Sequence, residues 1–352
     1  MRIAVTGSIA TDHLMEFPGS FANQFIAGSL DKVSLSFLVD TLDIRRGGVA
    51  ANIAFGLGRL GGRPLLVGAV GADFEDYRLW LEQHGVDTSW VHVSNTKHTA
   101  RFLCTTDDYQ NQIASFYPGA MTEAKSISLR PIDEAVGGLD LVLVSPNDPQ
   151  AMLRHTDECR ERGFRFAADP SQQLATLGRA DVRSLVDGAT YLFTNEYESN
   201  LLLTNARLTK DEVLRQVGSW ITTLGENGVR IERAGEPPIT VDVVKALGIV
   251  DPTGVGDGFR AGFLSGLAWN LSTVRAAQVG CMLATLVLEA RGGQEYDLDP
   301  DTFLKRLDEA YGVEAAQDVE PIMQAVRQNT AAEAISTAGG EIHIDNCVRG
   351  YD

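Results

Sequence analysis

The stretch Asp251-Pro252-Thr253-Gly254-Val255-Gly256-Asp257-Gly258-Phe259 gathers the groups that phosphoryl chemistry needs into one turn. The turn leads into a helical pattern in which Phe259, Phe263, Leu264 and Leu267 share an apolar face. The first turn of such a helix offers N–H groups without intrahelical acceptors at the positive end of its dipole, and Gly254 and Gly256 let an anionic oxygen approach the backbone. Gly254, Val255 and Gly256 therefore read as an anion hole acting through main-chain N–H groups. Asp257 lies in the same turn, where a fixed carboxylate would repel a resting phosphate. Its place makes sense for a base that takes the proton of an attacking hydroxyl while the N–H groups receive charge on the transferred group. Taken alone, the turn is equally compatible with dipole capping by Asp257 and close helix packing by the glycines.

A second glycine turn, Gly47-Gly48, opens a helical pattern with Ala50, Ile53, Ala54, Leu57 and Leu60 facing inward and Asn52 in its first turns. Short apolar runs cover residues 3–8, 65–70, 141–145, 165–169, 191–194, 220–224 and 229–233, several of them separated by helix-length stretches. They predict βαβ units and a mainly parallel α/β sheet covered by helices on both faces. Ligands of such sheets gather beyond the carboxyl ends of the strands, where Ser8, Asp12, Asp169, Asn195, Thr223 and Asp257 fall, Asp12 in the loop after the first strand. Residues 33–38, 99–106 and 112–117 alternate in character and predict a small separate sheet, with Phe102 and Phe116 on the faces opposite Arg101 and Tyr117. A long apolar helix is expected over 273–290. Beyond Tyr311 the chain turns acidic and polar, which reads as a helix followed by a loosely held tail over 330–352.

The chain has 352 residues, 44% of them hydrophobic, enough for one large α/β domain or two smaller ones. A formal net charge of -17 argues against nucleic acid or an anionic membrane as partner, because such binding relies on basic patches. Cys104, Cys159, Cys281 and Cys347 lie far apart without metal-ligand spacing and read as reduced thiols of a cytoplasmic protein. No run approaches the ~20 apolar residues of a membrane span.

With both glycine turns in view, the chain resembles the ribokinase-like (PfkB) carbohydrate kinases. One signature of that family is similar to Gly47-Gly48-Val49-Ala50-Ala51-Asn52 with Gly61-Gly62, the other to residues 251–264. Within the family, residues 6–13, 34–38, 114–121 and 169–174 resemble the actinobacterial-type adenosine kinases. The resemblance implies a ribokinase-like fold with a small β-sheet lid: a kinase domain over 1–325, lid segments at 9–46 and 95–120 inserted in it, and a tail over 326–352 without counterpart. It also implies transfer of the γ-phosphoryl group of ATP to the 5′-hydroxyl of adenosine, with Asp257 as base. Asp12 and Asn52 would then grip the ribose hydroxyls beside the backbone of Gly48, and Phe102 and Phe116 would wall the base. Ser8, Ser36, Gln172 and Gln173 would hydrogen-bond purine or ribose.

Still from the resemblance, Asn195 and Glu198 would hold the water shell of Mg²⁺, and Asn195, Thr223, Gly225, Gly228 and Gly256 would surround ATP. Asp251 and Thr253 would adjoin a monovalent cation such as K⁺, and the lid would pair two subunits into a homodimer. Two departures stand out: Val255 where a small residue is usual, and Gly258 where alanine is usual, which is expected to loosen the helix start. The rival readings are a kinase for another nucleoside or a free sugar such as ribose or fructose, with Phe102 and Phe116 only packing the lid, and a nucleoside binder without turnover. Asp257 argues against the binder, which needs no base.

Overall fold

The structure is a computed structural model that describes residues 1–24 and 36–338. Thirteen strands are described: β1 (Ile3–Thr6), β2 (Ala10–Phe17), β3 (Thr41–Gly47), β4 (Leu65–Gly71), β5 (Val91–Ser94), β6 (Ala100–Asp107), β7 (Gln112–Tyr117), β8 (Leu141–Val144), β9 (Phe166–Ala168), β10 (Tyr191–Asn195), β11 (Ser219–Thr223), β12 (Val229–Glu232) and β13 (Ile239–Val241). Nine form one sheet in the order β13-β12-β11-β10-β9-β8-β1-β4-β5. Neighbours from β11 to β5 run parallel, and only β12 is reversed, so that its pairings with β11 and β13 are antiparallel.

Strands β1, β4 and β8 are buried along their whole length, as expected of parallel strands covered on both faces. Their side chains alternate between two cores. Ile3, Val5, Leu141 and Leu143 join Ile53, Phe55, Phe263 and Met282 of one helical layer. Ala4, Val142 and Val144 join Met152, Cys159, Leu185 and Leu202 of the other. From β1 the chain builds outward to β4 and β5 on one side and then to β8 on the other. This reversal opens a crevice at the carboxyl ends of β1 and β8.

Helices Val255–Ala268 and Thr273–Leu288 pack closely because Gly258, Gly262 and Gly266 make a smooth stripe, one helical turn apart. A Cβ at Gly262 would lie 2.7 Å from the Val279 carbonyl oxygen, and one at Gly258 would lie 2.8 Å from Val287 Cγ2. Gly258 thus serves packing, and the helix starts firmly at Val255 after Gly254 at φ 77°.

The small sheet has the order β3-β2-β6-β7. Arg45, Asp12, Phe102 and Phe116 stand in register across it, so the four side chains share one face. Two expectations are corrected here. Asp12 lies in β2, the strand between β3 and β6, not in a loop. Of the expected strand at 33–38, residues 33–35 lie outside the described residues and 36–38 have no regular structure. The strand comes later, at Thr41–Gly47. Its polar residues Asp43 and Arg45 face inward and Leu42 and Ile44 face outward, both 57% exposed, which inverts the usual amphipathic pattern. At the other end, helix Val313–Ala338 runs past the expected start of the tail, and residues 339–352 lie outside the described residues.

Candidate active site

Asp257 occupies the first turn of its helix, at the crevice, with Gly254 as the left-handed N-cap. That φ is natural for glycine, and a Cβ there would press to 2.8 Å from Gly293 Cα. Asp257 keeps a little surface open to the crevice yet is enclosed by protein, and desolvation is the main force on it. Burial pushes its pKa up to about 7, against the pull of Arg260 and of a hydrogen bond from Asn52 Nδ2 to Asp257 Oδ2 at 2.8 Å. A carboxylate tuned to neutral pH is suited to general-base work.

Two cavities meet at this carboxylate. One, of about 530 Å³, is lined by Ser8, Asp12, Gly48, Asn52, Phe102, Phe116, Gln172, Gln173, Thr253, Gly254 and Asp257. The other, of about 620 Å³, is lined by Gln172, Asn195, Glu198, Thr223, Gly225, Gly254, Gly256, Asp257 and Arg260. Gly254 and Asp257 belong to both, so a group in one cavity can be passed to a group in the other across the helix start. The lid row supplies the first cavity with an acid and two aromatic rings. Asp12 is pushed up to about 6 by burial, opposed by Arg45 and aided by Asp251. At neutral pH it is still mainly an acceptor for hydroxyls. Gly48 sits at φ 93°, where a Cβ would meet Ser8 O and Ala10 N at 2.6 Å.

Other expected residues have structural duties too. Ser8 Oγ accepts from Val49 N at 3.0 Å, and Gln173 Nε2 donates to Asn147 O at 2.9 Å. Asn195 and Glu198 form a helix capping box: Asn195 Oδ1 accepts from Glu198 N, and Glu198 Oε2 accepts from Asn195 N. Glu198 Oε1 also accepts from Ser171 Oγ, and Ser171 sits at φ 43°, a strained value for serine. Thr223 and Gly225 line the second cavity, whereas Gly228 makes the turn of the β11–β12 hairpin and does not line it. Ser36 is exposed and lines neither cavity.

Asp251 and Thr253 do not fit a monovalent cation. Asp251 Oδ1 accepts from Thr253 N, while Oδ2 accepts from Arg45 Nη1 at 2.9 Å and Gly292 N at 3.1 Å. Burial alone would raise Asp251, but these bonds hold it below the usual carboxylate range. A guanidinium already stands where a cation would bind the carboxylate, and the two charges would repel.

The model of the pfkB family carbohydrate kinases matches residues 13–300. The chain belongs to the pfkB family. It is an ATP-dependent phosphotransferase acting on an alcohol acceptor, and its fold is ribokinase-like. Among similar pfkB proteins is a nucleoside kinase of Methanocaldococcus jannaschii, 29% identical over 74% of this chain and 85% of its own length. Another, from Methanothermobacter thermautotrophicus, is 32% identical over 76% of this chain and 86% of its own. The solved structure of Burkholderia thailandensis nucleoside kinase in complex with inosine is 32% identical and superposes with a TM-score of 0.77, covering 88% of this chain and 98% of that one.

Three members of this pfkB site escaped the sequence reading as site residues. Gln294 is buried and donates to Asn52 Oδ1 at 2.9 Å, while Trp80 Nε1 donates to Gln294 Oε1 at 3.1 Å. Arg45 joins lid strand β3 to the turn before the anion hole. Arg260 stands one helical turn after Asp257 and pairs with Asp169 at the end of β9. Only Arg260 carries a signal: it is the one basic residue on a helix that is mostly apolar beyond Asp257.

Proposed function

We propose that this pfkB protein is a nucleoside kinase, with adenosine as its acceptor and AMP as product. The observation that carries the reading is the lid row Asp12, Phe102 and Phe116, in register on one face and lining the cavity that reaches Asp257. A free sugar has no flat apolar group to set against two phenyl rings, whereas a nucleobase has one, and Asp12 is the neighbour of Phe102 along the same row, where it can accept from ribose hydroxyls. The inosine bound to the Burkholderia thailandensis relative supports a purine nucleoside. Gln172, between the two cavities, can accept from a 6-amino group or donate to a 6-oxo group, so inosine is the second candidate.

In the proposed reaction the nucleoside fills the 530 Å³ cavity and the triphosphate of ATP the 620 Å³ cavity. Asp257 takes the proton of the 5′-hydroxyl as that oxygen attacks the γ-phosphorus. Asn52 fixes one carboxylate oxygen and leaves the other for the proton. The amides of Gly254, Val255 and Gly256 face the transferred group; Val255 N reaches only a long 3.4 Å contact to Pro252 O, easily exchanged for a phosphate oxygen. Mg²⁺, when bound, neutralises charge on the phosphates. No group of three His, Cys, Asp or Glu able to hold a metal occurs among the described residues, and Glu198 is largely committed to its capping box. Asn195 and Glu198 therefore suit a hydrated ion, held through water.

The catalytic unit is proposed to span 1–325. Leu42, Ile44, Ile113 and Tyr117 lie exposed on the outer face of the lid, and their cover is proposed to be a second subunit. Among the described residues, no helix is long and apolar enough to cross a membrane.

The test is ATP consumption with adenosine, inosine, guanosine, cytidine, ribose and fructose at equal concentrations. Preference for adenosine with AMP as product supports the reading. Preference for a free sugar removes the base from the cavity and returns Phe102 and Phe116 to lid packing.

A further inference from the structure

The cavity assigned to the triphosphate must accept several negative charges in a chain whose net charge is -17. Among the described residues lining it, Arg260 alone is cationic. Its guanidinium is gripped from behind: Nε lies 2.6 Å from Asp169 Oδ2, and Nη2 donates to Asp169 Oδ1 at 2.6 Å. The Asp169 side chain has no exposed surface, the Arg260 side chain is 7% exposed, and the ring of Phe193 lies 5.7 Å below the guanidinium carbon. The remaining nitrogen, Nη1, lies beside Gly256, 2.8 Å from where a Cβ on that residue would sit. Glycine at 256 therefore leaves room for Nη1 beside the anion-hole amides.

Nη2 donates to Asp169 Oδ1, Nε stands in ion-pair contact with Oδ2 without a hydrogen bond, and no acceptor among the described residues takes Nη1, although Arg260 lines the cavity. Burial alone would lower the guanidinium's pKa, but Asp169 and then Asp257 raise it above its ordinary value, so the cation is permanent.

We propose that Arg260 is a further catalytic residue, with Nη1 donating to a non-bridging oxygen of the γ-phosphoryl group during transfer. The acceptor oxygen–phosphorus bond forms, the bond from that phosphorus to the β–γ bridging oxygen breaks, and ADP leaves with the electron pair. The acceptor proton goes to Asp257, and Arg260 keeps all its protons. Asp169 is the positioning residue that fixes the fork. The proposal rests on phosphoryl transfer at this site and not on the identity of the acceptor.

The experiment uses the full chain, ATP with Mg²⁺, and whichever acceptor the wild type turns over fastest, so failure of the adenosine reading leaves it intact. Arg260→Gln is measured beside the double variant Asp169→Asn/Arg260→Gln. The double variant replaces the ion pair by two amides and avoids stranding a buried carboxylate. The kcat is referred to the concentration of acceptor-binding sites counted by titration, so misfolded protein does not enter. The expected result is a fall in kcat of about 100-fold or more in the double variant, with the acceptor KM within about threefold, as for loss of one transition-state donor. A fall in kcat per site below about tenfold, or a loss carried by the acceptor KM, would overturn the proposal and leave Asp169 and Arg260 as a structural pair.

Discussion

Asn52 and Asp257, 205 positions apart in the chain, are joined by a 2.8 Å hydrogen bond from Nδ2 to Oδ2. Asn52 is braced from behind by Gln294, which is held in turn by Trp80 and Tyr77. The base is thus oriented by the helix that follows the other glycine turn. The bond favours the charged carboxylate, while burial favours the neutral acid and takes the pKa to about 7. Activity needs the carboxylate, so it should fall as pH drops through that region. In Asn52→Leu the donor is gone, the pKa rises further, and the acid limb of kcat/KM should move to higher pH. A pH–rate profile checks this, and an unmoved limb would mean that Asn52 does not act on Asp257.

Phe102 and Phe116 face each other across β6 and β7 in the acceptor cavity. Phe102→Ala should weaken nucleoside binding by about 1–3 kcal/mol, the range of base–aromatic stacking, and leave ribose binding unchanged. Calorimetric titration with both ligands reads the difference. Equal losses for nucleoside and ribose would show that Phe102 only shapes the lid.

Arg45 ties the lid to Asp251, whose oxygens are filled without a metal. Wild-type turnover should be the same in K⁺ and in choline salts at equal ionic strength. Arg45→Gln removes the positive charge from Asp251 Oδ2, leaving only the Gly292 N–H on that oxygen, and should make turnover respond to K⁺. Strong K⁺ activation of the wild type would refute the assignment of the guanidinium as resident cation.

A Cβ on Gly262 would press on the backbone of Val279 and Gly280, which cannot step aside as a flexible side chain can. Gly262→Ala should lower stability by about 1–3 kcal/mol, the usual cost of overpacking a tight contact. Urea unfolding at constant m measures it, and an unchanged midpoint would show that the two helices can separate freely.

The glycine turns, the buried parallel strands and the place of Asp257 in the first turn of a helix are legible because each rests on local chemistry: a positive φ, an apolar run, a carboxylate beside bare N–H groups. What stayed hidden depends on distant partners. Strand β3 escapes because Asp43 and Arg45 share the inner face with Asp12, whereas Leu42 and Ile44 face out. Strand β2 reads as a loop because its inner row holds Asp12 for the site instead of a core residue. Gln294 and Arg45 carry no local signal, since their roles exist only once Asn52 and Asp251 have been brought beside them. Asn195 and Glu198, paired by the family resemblance, have the three-residue spacing of a capping box and form one.

The central claim is that Asp257, where the two cavities meet, takes the acceptor proton. Asp257→Asn keeps shape and hydrogen bonding but removes the base. Product formation from ATP and nucleoside, followed by quenched-flow in single turnover, should fall by about 10³-fold or more, while nucleoside binding measured by calorimetry stays within a few-fold of wild type. A variant that turns over within tenfold of wild type would contradict the account, and the helix start would then bind phosphate without a base.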